Sequence, residues 1–344
     1  MSDRRPRPLI VPIFIPHLGC PHRCVFCEQK RITSQKDLPV SEEHIIGIIE
    51  RAIHSAGFDP NRNPEIAFYG GTFTGLPFDQ MLFLLETVFP YITKGLFRGI
   101  RVSTRPDAVN DERLKAIRHY NVSTVELGAQ SMDDQVLTLS ERGHSSDDTA
   151  RAVRLLRQYG LSVGIQLMPG LPGDSADKFH STVTKVIDLK PDMVRLYPAL
   201  VIKGTGLARL YEKGIYHPLG LGQAVEICAD NCLRLEDMGI QVIRIGLMSS
   251  PSLLEEGQII AGPWHPAFGF LVRSAIYHKG IAPMLPGRGQ SKSIRIMAYK
   301  LDIPLIRGYK NQGVKLIENR TGAKVVNIQA EDSITPGRIK VVNI

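Results

Sequence analysis

Apolar and polar positions alternate along the chain in a pattern that predicts strands and helices in turn. Short runs rich in Ile, Val and Phe are typical of buried strands, and apolar residues three or four positions apart are typical of helices. The predicted strands are Ile10–Ile15, Glu65–Tyr69, Ile100–Thr104, Val122–Leu127, Ser162–Met168 and Asp192–Tyr197. The predicted helices include one capped by Ser41 and others over Pro77–Phe89, Ala150–Tyr159 and Ala176–Leu189.

This alternation predicts an α/β protein built from parallel β/α units with right-handed crossovers. Periodicity leaves two architectures open, a partial β/α barrel and an open doubly wound sheet. In both, ligands bind at the carboxyl ends of the strands. Unusual residues follow successive predicted strands there, namely Gly70-Gly71-Thr72, Ser103-Thr104, Gln130 and Leu167-Met168. Each signal alone is typical of a turn, but together they predict one ligand site.

Three cysteines follow the first predicted strand, at Cys20, Cys24 and Cys27, with the spacing C-x3-C-x2-C. A [4Fe–4S] cluster normally takes four thiolates, so three close ones would leave one iron open to an external ligand. The alternatives are a zinc site that recruits His17 or His22, and three buried thiols without a metal. The spacing favours the cluster.

Composition indicates an ordinary globular protein of 344 residues, long enough for one large α/β domain and a small appendage. No apolar run reaches the length of a membrane span. The basic segment Met1–Arg7 is interpreted as a tail that enters a strand and not as a signal peptide. Five cysteines, three of them clustered, do not form a disulfide framework, so we expect a cytoplasmic location.

Positive charge is concentrated at the end of the chain. Residues 292–344 contain ten Lys or Arg and four Asp or Glu, which leaves +6 of the formal +8 there. A locally basic segment indicates a polyanionic partner such as nucleic acid, and the alternative is a solvated surface.

With these residues identified, the chain resembles the radical S-adenosylmethionine (SAM) superfamily, and more narrowly the catalytic subunit of Elongator and its bacterial relatives. The resemblance covers about Ile10 to Met248, and the cysteine motif and the stretch from Leu196 to Tyr216 carry it. It implies a partial (β/α)6 barrel that holds a [4Fe–4S] cluster and SAM. It also implies that Cys20, Cys24 and Cys27 ligate the cluster.

The resemblance further implies which residues contact SAM. Phe26 would lie beside the adenine, flanked by Leu167 and Met168. The backbone of Gly70, Gly71 and Thr72 would receive the amino group, and Ser103 or Thr104 would face the ribose. Gln130 and Arg142 match a glutamine and an arginine that contact SAM in the related oxygen-independent coproporphyrinogen oxidases. The alternative for Gln130 is that it caps a turn, and the alternative for Arg142 is that it is a surface cation. For Met168 the alternative is packing in the core.

The chain also departs from the Elongator subunit. Its cysteine spacing is shorter, and after Met248 we expect no acetyltransferase domain, so acetyl-coenzyme A chemistry and the specific wobble-uridine modification are not implied. Cys228 and Cys232 lie four positions apart on the helical pattern Gly222–Met238. We interpret them as apolar residues of a buried helix face, with a second metal site as the alternative.

The basic end of the chain, from Ile306 to Val325, resembles a KH-type RNA-binding core. Such domains place a Gly-bounded basic loop before a helix, where backbone amides and cations meet phosphates. Here Gly308 and Gly313 bracket four residues where a standard KH loop has two, and the alternative is a structural β-α-β cap. The expected domains are residues 1–250 (barrel core), 251–291 (helical connector) and 292–344 (KH-like basic α+β module).

Three functions follow from these observations. The first is a radical SAM enzyme that forms a 5′-deoxyadenosyl radical and acts on RNA, expected to be tRNA, through the C-terminal module. The second is the same chemistry on a small molecule, as in the coproporphyrinogen oxidases. The third is a non-catalytic RNA-binding iron–sulfur protein. The first is favoured, with an electron donor such as flavodoxin or ferredoxin and no membrane partner.

Overall fold

The computed structural model describes residues 9–33 and 41–344, and the basic tail Met1–Arg7 lies outside them. The described chain divides into two compact units. The barrel unit contains the residues up to Gly220 together with Leu235–Trp264, and the C-terminal unit contains Leu221–Arg234 and His265–Ile344. The finer division at residues 250 and 291 stays a prediction.

The barrel unit is organised around one sheet of seven parallel strands. Its strands are β1 (Ile10–Phe14), β2 (Glu65–Tyr69), β3 (Gly99–Thr104), β4 (Val122–Gln130), β5 (Ser162–Leu167), β6 (Met193–Leu196) and β8 (Gln241–Ile245). They pair in the order in which the chain forms them, and a doubly wound sheet would instead reverse its order at a switch point. The parallel strands form a half-barrel, which agrees with the expected partial β/α barrel. The sequence pattern does not predict β8, which follows a long helix.

A short antiparallel pair of strands, β7 (Val201–Ile202) and β9 (Ile259–Ala261), completes the sheets of the barrel unit. Between β4 and β5 the register shifts between Leu127 and Gln130, and Gln130 has a left-handed φ of 69°. β4 therefore extends three residues beyond its predicted end, and the irregularity lies where the strand reaches the expected ligand site.

Helices connect the strands of the barrel unit. They are α1 (Gln29–Thr33), α2 (Glu42–Ile53), α3 (Phe78–Thr93), α4 (Asp111–His119), α5 (Asp134–Leu139), α6 (Ser146–Gln158), α7 (Ala176–Leu189), α8 (Gly206–Glu212) and α10 (Pro251–Leu254). The long helix α9 (Leu221–Asp237) belongs to the C-terminal unit as far as Arg234. Ser41 caps α2 as predicted, because its side chain accepts a hydrogen bond from His44 N. No helix in the described ranges combines the length and the apolar character that a bilayer crossing needs.

The C-terminal unit has a separate core under a three-stranded sheet. Its elements after α9 are α11 (Phe268–Ile281), β10 (Ser293–Ala298), α12 (Ile303–Arg307), α13 (Gln312–Thr321), β11 (Lys324–Ala330) and β12 (Ile339–Asn343). β10 is the central strand, parallel to β11 and antiparallel to β12. Ile294, Ile296, Ile306 and Ile317 are buried between sheet and helices. The unit is α+β as expected, and its KH-type identity stays a prediction.

Candidate active site at the carboxyl ends of the strands

The cysteine loop is defined here as residues 15–27, which follow β1. Its first turns are fixed by backbone hydrogen bonds from Leu18 N to Ile15 O (3.2 Å) and from Cys20 N to His17 O (3.2 Å). Gly19 has a left-handed φ of 71°, and a Cβ there would overlap the carbonyl oxygen of Thr72. Only glycine therefore allows the loop to approach the segment after β2 this closely.

All three cysteines of the motif lie within this loop. Cys24 is buried, and Cys20 and Cys27 are half-buried. Burial, together with the charges of Cys24 and Cys20, raises the pKa of the Cys27 thiol to about 12. Burial also raises the pKa of Cys20. Cys20 and Cys27 therefore hold their protons at neutral pH until a metal replaces them.

Among the residues described, no three His, Cys, Asp or Glu side chains form a group that could hold a single metal ion. A cluster distributes its thiolates over separate iron atoms, so its ligands need not converge on one point. Three thiols in one loop, with Cys24 buried and the other two half-buried, fit such a cluster.

The Gly70-Gly71-Thr72 segment lies directly against the cysteine loop. Thr72 N donates to Leu18 O (2.7 Å), and the Thr72 hydroxyl lies 3.2 Å from Cys20 Sγ. Gly71 has a φ of 49°, and a Cβ there would overlap the carbonyl oxygens of Leu18 and Ile15. Packing within the protein therefore already requires a glycine at this position, and its contact with SAM stays a prediction.

Gln29 holds these two segments together, and sequence reasoning missed it. Its side-chain Oε1 accepts hydrogen bonds from His17 N (2.5 Å) and Gly71 N (2.7 Å). Gln29 N in turn donates to His17 Nε2 (3.2 Å). No motif spacing indicates this residue, because the contact depends on how two loops fold onto each other.

Arg142 reaches the cysteine loop from the segment after α5. Its Nη1 donates to Cys24 Sγ (2.8 Å), and its Nη2 donates to Gly128 O (2.5 Å). The guanidinium lies 5.9 Å from the centre of the Phe26 ring. Arg142 is 5 % exposed, so the alternative of a surface cation is wrong.

The Nε of Arg142 is buried and has no hydrogen-bond partner among the described residues. A buried guanidinium N–H without an acceptor is costly, and an anionic group of a bound ligand would satisfy it. Together with the three thiols, this orphaned donor fits a cluster with SAM beside it.

The other predicted SAM contacts lie at neighbouring strand ends. Gln130 is 5 % exposed, and its Oε1 accepts a hydrogen bond from Gln166 Nε2 (3.1 Å). Met168 N donates to Gln130 O (2.9 Å), and Met168 packs with Phe26 against one apolar cluster. The remaining predicted contacts are Leu167, which is fully buried, Thr104, which hydrogen-bonds Thr74, and Ser103, which is half-buried. The roles of all these residues stay predictions.

A buried ionic network lines the strands below this site, and it too was missed. Arg101 contacts Glu65 (2.6 Å) and Glu126 (2.8 Å), and Arg195 contacts Glu126 (2.8 Å). Tyr69 accepts a hydrogen bond from Arg195 (2.6 Å) and donates to Glu126 (3.2 Å). Burial alone would lower the pKa of Arg101, but Glu126 and Glu65 outweigh it and raise that pKa. The network was missed in the sequence because its charged residues lie within strands that were identified by their apolar residues.

Comparison with known proteins identifies the class. Residues 14–186 match the radical SAM superfamily, and residues 191–278 match the radical SAM C-terminal domain. The chain therefore belongs to the radical SAM superfamily. It is an enzyme of that class, and the class uses a [4Fe–4S] cluster and SAM, as predicted.

Within the superfamily, the chain is similar to proteins of the Elongator type. It is 29 % identical over 245 residues to a tRNA uridine(34) acetyltransferase of Dehalococcoides mccartyi, covering 62 % of this chain and 53 % of that protein. It is 28 % identical over 185 residues to Elongator complex protein 3 of Homo sapiens, covering 48 % of this chain and 34 % of that protein. The chain thus spans about half the length, or less, of these curated relatives.

A solved structure supports the fold. The archaeal Methanocaldococcus infernus Elp3 with an N-terminal deletion superposes with a TM-score of 0.63 at 23 % identity. The match covers 80 % of this chain and 63 % of that one. The sequence relatives, taken together with this shared fold, confirm the resemblance to the Elongator catalytic subunit that the sequence motifs indicated.

Proposed function

We propose that the protein holds a [4Fe–4S] cluster on Cys20, Cys24 and Cys27 and uses it to cleave SAM in the modification of RNA, with tRNA as the substrate. The observation that carries the proposal is the meeting of three segments at the thiols. Thr72, from the loop after β2, contacts Cys20 Sγ, and Arg142, from the segment after α5, contacts Cys24 Sγ.

When bound, the cluster and SAM supply the radical chemistry, and one electron from a donor such as flavodoxin or ferredoxin starts it. The chain's own residues bind and orient. Gln29 fixes the cysteine loop against Gly71, and the orphaned Arg142 Nε offers a donor to an anionic ligand group. Phe26 and Met168 form an apolar wall that keeps water away from this position.

The paired charges below the site favour a neutral polar substrate group over an acidic small molecule. Arg101 and Arg195 are each engaged by a carboxylate, so neither offers a free positive charge to the carboxylates of a tetrapyrrole. A nucleobase carries no carboxylate and therefore needs no free cation at this position. This observation favours RNA over the alternative of a coproporphyrinogen-oxidase-like substrate.

The C-terminal unit supplies the proposed RNA contact. Arg307, Lys310 and Lys315 are exposed around the turn that joins α12 to α13. Gly308 opens this turn, and Lys310 and Asn311 have left-handed φ values of 50° and 61°. Exposed cations at such a turn suit phosphate binding.

The predicted loop boundary at Gly313 needs correction. Gly313 is the second residue of α13 and is buried, and a Cβ there would overlap Ile306 O and His278 Nε2. Gly313 is therefore required for packing, and the turn itself spans Gly308 to Asn311.

The test is RNA affinity at several salt concentrations beside SAM cleavage, with anaerobically reconstituted full-length protein. Lys310→Glu with Lys315→Glu should weaken tRNA binding about tenfold or more and reduce the salt slope by about two, since each lost phosphate contact releases one counterion fewer. Lys94→Glu with Lys115→Glu, an equal charge change on exposed barrel lysines, is the control. SAM cleavage without RNA should not change in either. Equal RNA affinity for all three proteins would remove the proposed tail contact, and absence of SAM cleavage in the wild type would reject the enzymatic proposal.

A further inference from the structure

A cavity of about 580 Å³ opens in the barrel unit beside the loop that follows β5. Its lining includes none of the residues assigned above to the cluster or to SAM. Much of the lining comes from the stretch between Gly206 and Leu219, part of which carried the family resemblance but received no role in the proposed function. The volume falls in the range of about 300 to 1,000 Å³ that is typical of small-ligand sites.

The apolar walls of the cavity are fixed by two glycines of the loop after β5. Gly170 and Gly173 have left-handed φ values of 84° and 76°. A Cβ at Gly173 would lie 2.6 Å from Leu139 Cδ1, and one at Gly170 would lie 2.8 Å from Leu219 Cδ1. Each leucine therefore packs directly on backbone at one end of the loop. Leu139 is still 46 % exposed, and Ile215, which also lines the cavity, is 68 % exposed.

The polar side chains of the lining include one fixed acceptor and two cations, and Glu141, Tyr216 and His217 line the cavity as well. The Asp174 carboxylate accepts hydrogen bonds from Gly170 N and Ser175 N, both at 2.9 Å, which holds it in place. Burial raises the pKa of Asp174 to about 6. Each carboxylate oxygen keeps a further lone pair for a ligand donor. Arg209 and Lys213, at the end of α8, are exposed and line the same cavity.

We propose that this cavity binds one nucleotide. Leu139 and Ile215 cover the faces of the base, and Asp174 accepts a hydrogen bond from a base N–H. Arg209 and Lys213 contact the phosphate. Apolar cover, a fixed acceptor and a pair of cations are the three elements that a nucleotide requires, and a purely apolar or purely anionic ligand would leave one of them unused.

The cavity adjoins the cysteine loop through Val25, which lies between Cys24 and Phe26 and is part of the lining. Leu207 N, at the start of α8, donates to Val25 O (2.7 Å). A nucleotide bound here would therefore sit beside the reaction site and not in it. The ligand has two sources, a free nucleoside monophosphate or a nucleotide of the RNA that flanks the reacting one, and only the second rests on the proposed function.

The direct test is calorimetric titration of adenosine and cytidine 5′-monophosphate into the full-length protein. Arg209→Glu with Lys213→Glu should weaken binding at least tenfold, as should Ile215→Asp. Lys94→Glu with Lys115→Glu is the charge control, and Leu254→Asp, at a residue 49 % exposed, is the apolar control. Both controls should bind as the wild type does.

The second arm repeats the comparison with a single-stranded RNA oligonucleotide. Loss of RNA affinity in the cavity variants, alongside loss of mononucleotide binding, would assign the cavity to a nucleotide of the substrate. Mononucleotide binding with unchanged RNA affinity would assign it to a free nucleotide and uphold the site.

If neither ligand responds to the cavity variants, the proposal is overturned. A slower reduction by flavodoxin in those variants would then assign the surface to an acidic electron carrier. Should the wild type bind no RNA at all, the proposed function fails while the mononucleotide titration still decides the cavity.

Discussion

The side-chain oxygen of Gln29 lies 2.7 Å from the backbone nitrogen of Gly71, and the same oxygen accepts a hydrogen bond from His17 N. One amide group thus joins the loop that carries the thiols to the segment after β2. Its position is fixed by α1, of which Gln29 is the first residue.

Replacing Gln29 by Leu should loosen both loops, because two backbone N–H groups lose their shared acceptor. We expect the free energy of unfolding of the protein to fall by about 2 kcal/mol. Iron content after anaerobic reconstitution should also fall. Gln29→Glu keeps an acceptor oxygen at the same distance and should retain most of the iron. Equal iron content in the wild type and Gln29→Leu would contradict this role.

Cysteine substitutions separate the proposed ligands from the buried helix cysteines. Replacing Cys20, Cys24 or Cys27 by Ala should abolish the iron–sulfur absorbance and SAM cleavage, because each removes one thiolate from the cluster. Cys228 and Cys232 are fully buried on α9, and burial raises the pKa of Cys228. Their replacement should leave absorbance and cleavage largely intact. Loss of iron from the Cys228→Ala protein would show that the three-ligand assignment is wrong.

Arg142 should influence the cluster and SAM in different ways. Arg142→Met removes a positive charge and the hydrogen bond to Cys24 Sγ, so the reduced cluster loses stabilisation and its midpoint potential should become more negative. SAM affinity should fall about tenfold or more if Nε binds an anionic group. Redox titration and equilibrium SAM binding measure the two effects. A Met variant with unchanged potential and affinity would refute both.

The ionic network should show strong coupling between its members. Arg195→Met takes one of the two arginines away from Glu126 and leaves it with Arg101 and the Tyr69 hydroxyl, so we expect a loss of about 3 kcal/mol in the free energy of unfolding. Adding Glu126→Gln removes the excess charge and leaves the Arg101–Glu65 pair, so part of the loss should be recovered. Urea denaturation of the cluster-free protein measures Arg195→Met, Glu126→Gln, the double variant and the wild type. Simple additivity of the two substitutions would speak against a shared network.

His144 should make the barrel unit sensitive to acid. Burial, and then the charge of Arg142, lower the pKa of its imidazole to about 4 from the usual 6.5. Between these values the unfolded chain binds a proton that the folded one does not, so stability should fall as the pH drops from about 6.5 towards 4. The urea midpoint of the cluster-free protein at pH 7, 5.5 and 4.5 tests this. His144→Gln should reduce the dependence, and exposed His54→Gln should not.

The strands and the cysteine motif could be predicted from the sequence because both are local. The bounds of β2 coincide with their prediction, and so do those of α7, since apolar spacing reports directly on which face is buried. Gln29 and the ionic network escaped prediction for the opposite reason. Gln29 joins His17 to Gly71, which lies 42 residues away, and the bonded pairs of the network are 25 or more residues apart. A charged residue in a strand carries no sign of the partner that neutralises it.

Arg142 illustrates an intermediate case. The sequence resemblance identified it as a candidate ligand residue, but the contact to Cys24 Sγ depends on the segment after α5 folding back over the cysteine loop. The direction of a long side chain is set by packing, so it could not be read from the chain alone.

The strands of the barrel pair in chain order, and this has a consequence for how the protein is made. The thiols at positions 20 to 27 leave the ribosome more than a hundred residues before Arg142 and Met168. Each later β/α unit can add to the edge of the sheet that is already present. The surroundings of the thiols are therefore complete only after β5 has been synthesised, and iron loaded earlier would meet a loop still open to water and oxygen. We therefore expect iron to be loaded at the thiols only after the sheet has been synthesised.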